Sequence, residues 1–194
     1  MSSFQLYLQL GISHITDIQG YDHILFLLTL CAVYQIKQWK SVLVLITAFT
    51  LGHCTTLLLA SLNLINISSS FIEFLIALTI LITAIVNILQ KSENITTKLQ
   101  TIKYSTALFF GLIHGLGFSN YLKSLLGLES NIIKPLFAFN IGIELGQMII
   151  VLIFFIITYF VTVFLKLNKR YWTIALSGVS LIVSLILIIT RFPN

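Results

Sequence analysis

Six long apolar runs with short polar breaks between them constrain this chain more than any other feature. The runs are Tyr21–Ile36, Ser41–Leu62, Phe71–Gln90, Tyr104–Leu122, Pro135–Leu165 and Trp172–Thr190. A bilayer core about 30 Å thick needs roughly 20 apolar residues per helix, so each run reads as a membrane span. The breaks are KQWK, NLINISSS, KSENITTKLQTIK, KSLLGLESNIIK and KLNKR. None can hold a soluble domain, and no tandem repeat is visible. Residues 1–194 therefore read as one integral membrane domain, an all-α polytopic helical bundle. The composition agrees, at 58% hydrophobic and 9% charged, with a mean hydropathy of +1.03. Soluble domains of this size are far less apolar.

Residues 3–18 form a separate element. Gln5, Gln9, Ser13 and Thr16 recur at helical spacing among Phe4, Leu6, Leu8, Leu10, Ile12 and Ile15. This pattern predicts a short interfacial or re-entrant helix, broken at Gly20 before the first span. The N-terminus has no basic stretch and does not read as a cleaved signal peptide. Cys31 and Cys54 both fall inside apolar runs, where packing is their expected role.

The net charge of +5 does not point to nucleic acid, because the basic residues are scattered through the breaks and form no basic face. Their distribution does set an orientation. The breaks after spans one, three and five hold Lys37, Lys40, Lys91, Lys98, Lys103, Lys166, Lys169 and Arg170. The opposite side holds only Lys123, Lys134 and Arg191. Positive-inside bias puts the first group in the cytoplasm. Both termini then face outward, in a membrane expected to be the bacterial inner (cytoplasmic) membrane.

Counting about 1.5 Å per helical residue from the span ends locates the polar groups in depth. Asp22 and His23 in span one, His53 in span two, His114 in span four and Glu144 in span five all fall about 15–21 Å from the cytoplasmic edge. Four spans thus bring ionisable groups to one slab. Such groups are expensive in lipid and normally face one another or a wet cavity. Asn140 and Gln147 share a helix side with Glu144 and are its natural support. Thr50 and Thr56 flank His53 and are in reach of its ring. Gly111 with Gly115, and Gly142 with Gly146, allow close helix approach at the same level. Asp22 reads either as a helix N-cap or as a partner of the site. Glu73 reads first as an interfacial carboxylate, and His14 as a solvated histidine beside the site.

HITDIQGYDHILF, FTLGHCTTLLLA, FGLIHGLGF and FNIGIELGQ, in this order, resemble the HupE/UreJ membrane proteins. The resemblance covers Gly11 to about Val151. It implies a nickel or cobalt permease, or an uptake accessory, serving a metalloenzyme maturation system such as that of hydrogenase or urease. Asp22 and His23 match the Asp-His of the family's first motif. His114, between Gly111 and Gly115, matches the end of its second. Departures are visible: seven residues separate His14 from Asp22 where the family has five. Phe110 stands at a family His and Gly117 at a family Glu.

His and carboxylate ligands suit nickel, cobalt or zinc and disfavour copper(I). The metal ligands expected from the sequence are Asp22, His23, His53, His114 and Glu144, with His14, Glu73, Asn140 and Gln147 in support. Metal transport is the first reading. Two others stand beside it: a zinc-dependent intramembrane hydrolase resembling ceramidase-like enzymes, with Asp22 or Glu144 as base, and a metal-free bundle tied together by a structural polar cluster.

Overall fold

The computed structural model describes residues 2–90, 96–126 and 132–193; the start of the third sequence break and the middle of the fourth lie outside them. Seven α-helices make up the described chain: α1 (Ser3–Thr16), α2 (Tyr21–Cys31), α3 (Trp39–Ser61), α4 (Ser69–Leu89), α5 (Thr97–Leu126), α6 (Ile133–Tyr159) and α7 (Lys169–Thr190). A 3-10 turn, Ile36–Gln38, leads into α3, and a wider π turn, Phe160–Phe164, extends α6.

The expected all-α polytopic bundle is present, and the expectation of six spans plus an interfacial helix is met in part. Among the described residues, four helical segments are long and apolar enough to cross a membrane: Ile36–Ser61, Ser69–Leu89, Ile133–Phe164 and Lys169–Thr190. The first expected span is shorter than its apolar run. It ends as α2 at Cys31 after 11 residues, only about 16 Å of helix. Its C-terminal carbonyls are taken by other groups: Ala32 O accepts from Lys169 Nζ at 2.8 Å and from Thr173 Oγ1 at 2.9 Å. The fourth expected span lies within α5, which has the length, at 30 residues. Lys98, Gln100, Lys103, His114, Asn120 and Lys123 make α5 more polar than the other long helices.

The N-terminal helix is built into the bundle. A capping box starts it, with Gln5 N–H donating to Ser2 Oγ and Ser2 N–H donating to Gln5 Oε1. Tyr7, Gly11 and Ile15 then bury one stripe of α1, and that stripe packs lengthwise on α6.

Two glycine seams organise the core, and they match position by position. A Cβ on Gly11 of α1 would strike the carbonyl oxygen of Phe139 and press on the amide nitrogen of Ile143 in α6; one on Gly142 would strike Leu8 O and press on Ile12 N. Between α3 and α5, Gly52 meets Leu108 O and Leu112 N, and Gly111 meets Phe49 O and His53 N. In both seams the two helices run parallel with their backbones in contact, the small-residue packing membrane helices use in place of a hydrophobic drive. The two pairs run in opposite directions. Tyr7 of α1 reaches Leu125 O of α5, whereas His14 further along α1 stacks on Phe118, earlier in α5. The histidines lie where the two pairs meet.

The remaining helices close the bundle. Arg170 at the start of α7 donates through Nη1 to Asn87 O at 2.9 Å and through Nη2 to Ile88 O at the end of α4. A cation on the last carbonyls of a helix also complements its dipole. Phe74 of α4 meets Phe192 beyond α7 at the other end, so these helices are antiparallel.

The seams yield a direct prediction. Gly52→Val forces a side chain into the α5 backbone, and the purified variant is expected to lose its monodisperse peak in detergent. Gly178→Val, where an added Cβ meets nothing within 4 Å, is expected to behave like the parent in the same size-exclusion run.

Candidate metal centre

Three helices bring His14, His23 and His53 together. One ring nitrogen of each lies within 4.8 Å of the others. His14 reaches the group from the last turn of α1, before the chain bends through residues 17–20, where Asp17 Oδ1 accepts from Gln19 N–H. His23 comes from the first turn of α2, and His53 from the middle of α3 against the Gly111 seam. Their rings are near neighbours, with centroids 4.7 Å apart for His14 and His23 and 5.8 Å for His14 and His53.

The ring nitrogens are what make this a candidate centre. His14 Nε2, His23 Nε2, and both Nδ1 and Nε2 of His53 are buried without a hydrogen-bond partner. Leaving a buried polar atom unpaired costs about 1–3 kcal/mol, and four such atoms in one place need an explanation. A cation accounts for three of them, by one lone pair from each neutral ring; the other His53 nitrogen carries that ring's proton. Two nitrogens bound to one ion at about 2.1 Å can be no more than about 4.2 Å apart, so the group needs only small side-chain rotations to close on a metal. The residues fit a divalent ion of the nickel, cobalt or zinc kind.

Asp22 fixes the orientation of His23. Its Oδ1 accepts from the His23 backbone N–H at 2.9 Å and lies 3.0 Å from His23 Nδ1. With the ring proton on Nδ1, the Nε2 lone pair is left for the cluster, as in carboxylate–histidine–metal arrangements. The two sequence readings of Asp22 therefore both hold in part. Gly20 is the N-cap residue and makes no side-chain cap bond. Asp22, in the first turn, accepts from the His23 amide, which also reaches Gly20 O at 3.3 Å, with the same oxygen that holds the ring.

The other Asp22 oxygen is held from the far end of the chain. Arg191 Nη1 donates to Asp22 Oδ2 at 2.9 Å, and Arg191 Nε lies 3.6 Å from Glu73 Oε2. Glu73 is half exposed and joins the centre only through this arginine. Sequence reasoning counted Arg191 as a topology marker alone. No local signal ties a C-terminal arginine to an aspartate 169 positions earlier.

His114 sits beside the group, its ring 5.3 Å from His23. Thr79 holds it: Thr79 Oγ1 donates to Ile76 O at 2.7 Å and lies 2.9 Å from His114 Nε2. The hydroxyl has one proton, so His114 donates from Nε2 and its lone pair is on Nδ1. That atom is buried and unpartnered. Thr79 is a second residue that the sequence did not single out.

The α6 residues lie along the α3 contact. Glu144 Oε1 accepts from Thr47 Oγ1 at 2.6 Å, and Gln147 Oε1 from Thr50 Oγ1 at 2.9 Å. Glu144 is not among the three residues whose ligand atoms converge. Asn140 Oδ1 and Gln147 Nε2 are buried and unpartnered. The expectation that Thr50 and Thr56 bond the His53 ring needs correcting. Thr50 turns to Gln147, and Thr56 donates to the backbone carbonyls of Gly52 and His53, the local bond that helical threonines readily make.

Aromatic rings close the histidines on two sides. Phe118 packs 3.9 Å from His14 and stacks on Phe139. Phe26 and Phe49 lie 4.6 and 5.2 Å from His114, with Phe110 behind Phe26.

A polytopic helical membrane protein with a largely buried histidine cluster able to hold a metal ion is the class this fold and site define. The family follows from comparison: the model of the HupE / UreJ protein family matches residues 1–191, and the chain belongs to that family. No curated protein and no solved structure matches it.

Proposed function

We propose that the protein is a divalent-metal permease, or a metal-uptake accessory, of the nickel and cobalt class, with the ion as its substrate. The observation that carries this reading is the convergence of unpartnered lone pairs on His14, His23 and His53. His114, through Nδ1, is the next donor beside His23. Phe118 and the Phe26–Phe49–Phe110 rings make this an occluded arrangement, and a transporter releases its ion by opening one side or the other. A site of loosely set neutral ligands binds well enough to capture and weakly enough to release.

In this reading α3 to α7 cross the membrane, and α2, too short to cross alone, makes up the sixth crossing together with α1, which carries His14. Both termini face outward from the bacterial inner membrane, because the basic residues gather at the other end. The supplied ion would serve a metalloenzyme maturation system. The bonding of the carboxylates argues against a hydrolase. Asp22 is held through both oxygens by His23 and Arg191, and Glu144, bonded to Thr47 through one oxygen, is not among the residues whose ligand atoms converge, so neither stands as a base at the three histidines.

Nickel-63 and cobalt-57 uptake by cells expressing the chain tests the proposal. Uptake above that of empty-vector cells, lost in His23→Ala, is expected. Equal uptake with and without the protein would overturn the transport role. Arg191→Gln gives a graded check. It frees one Asp22 oxygen but leaves the His23 bond, so metal affinity measured by titration in detergent is expected to fall several-fold, less than for loss of Asp22 itself.

A further inference from the structure

A cavity of about 180 Å³ opens between the end of α4 and the start of α5, away from the Asp22–Arg191 end, and Lys103 is the charged residue that lines it. Leu30, Ile82, Val86 and Phe110 give it apolar walls, and Thr83, Asn87, Lys103 and Thr106 supply its polar groups. Two of these are already engaged: Thr83 Oγ1 donates to Thr79 O at 2.8 Å, and Asn87 Nδ2 to Thr29 O at 2.7 Å. Lys103 and Thr106 are not. Lys103 is half-buried and has no hydrogen-bond or ion-pair partner among the described residues.

Lys103 and Thr106 share one face of α5, three residues apart. The apolar walls continue from them toward Phe110, about 10 Å further along the helix. Lys103 sits at the basic end of the bundle, where Arg170 caps α4 and Lys169 reaches Ala32 O. The cavity therefore has a cationic, hydroxyl-bearing mouth at the level where helices end and an apolar pocket running toward the middle of the bundle. That is the shape and polarity of one phospholipid: phosphate at the mouth, acyl chain inside.

We propose that this cavity binds an anionic phospholipid, its phosphate against Lys103 and Thr106 and the start of an acyl chain against Ile82, Val86 and Phe110. Charge complementarity selects the anionic headgroup, since a lone half-buried ammonium gains most from a ligand that brings a net negative charge. The apolar walls select a lipid over free phosphate. No histidine lines this cavity, which shares only Phe110 with the rings beside His114, and the proposal does not depend on the metal reading.

The test is lipid binding by the full chain, purified in detergent and delipidated, followed by native mass spectrometry. Phosphatidylglycerol and phosphatidylcholine with identical acyl chains are compared. Phosphatidylglycerol is expected to bind about five- to tenfold tighter, the scale of one lysine near a membrane surface. Lys103→Gln is expected to bring the two lipids to parity, and Lys103→Arg to keep the preference. Inorganic phosphate at the same concentration is expected to leave the phosphatidylglycerol signal unchanged. Equal binding of the two lipids by the parent protein, a preference that survives Lys103→Gln, or displacement by inorganic phosphate would overturn the proposal.

Discussion

Replacing His53 with leucine is expected to abolish metal binding and yet to stabilise the metal-free protein. His53 is fully buried, and neither ring nitrogen has a partner. An imidazole held this way is a burden to the fold until an ion takes its lone pair. Leucine fills similar space without polar atoms, so removing the unpaired groups returns about 1–3 kcal/mol. For a chain of this length that is a rise of about 2–12 °C in melting temperature. The loss in metal affinity should exceed the roughly tenfold to hundredfold typical of removing a partner that only orients a ligand. The opposite pair of results, a lower melting temperature with unchanged metal binding, would make His53 a core residue and nothing more. Thermal melts with and without nickel, on the same preparation, separate the two.

The second large effect is expected at Asp22. Asparagine there keeps an oxygen for the His23 amide and ring but has no charge for Arg191, and its hold on the imidazole is weaker. Asp22→Asn is expected to stay folded and to lose about tenfold to hundredfold in metal affinity. Asp22→Ala loses the oxygen as well, leaves the His23 amide with only its 3.3 Å bond to Gly20 O, and is expected to cost about 1 kcal/mol of stability besides. Expression, melting temperature and metal titration of both variants distinguish the roles. Parent-like binding by Asp22→Asn alongside an unfolded Asp22→Ala would reduce Asp22 to a helix-start residue.

Depth was the part of the site legible in the sequence. Helical rise is fixed by the backbone, so counting residues placed His23, His53 and His114 at one level, and their rings are neighbours. Rotation about each helix axis is not fixed that way. Glu144 shares the counted depth, but its carboxylate is turned to Thr47. His14 was underweighted for a related reason: whether an N-terminal helix lies on the membrane or packs into the bundle depends on its partner. That partner is α6, through Gly11 and Gly142, more than a hundred residues away. Arg191 and Thr79 depend on tertiary packing in the same way. Gly111, Gly115, Gly142 and Gly146 were legible as sites of close approach, although the helix each one meets was not, nor were Gly11 and Gly52. The span count was legible only in part, because apolar runs and helices part company at the end of α2 and in the polar stretches of α5.

The central claim is that three histidines form one metal site, and metal stoichiometry tests it most directly. The chain, purified in detergent, is equilibrated with nickel, passed through a desalting column and analysed for metal per protein. One ion per chain is expected for the parent, and none above background for the variant carrying His14→Ala, His23→Ala and His53→Ala, provided that variant elutes as a folded peak. A parent that retains no stoichiometric nickel, cobalt or zinc, or a folded triple variant that retains as much as the parent, would contradict the account.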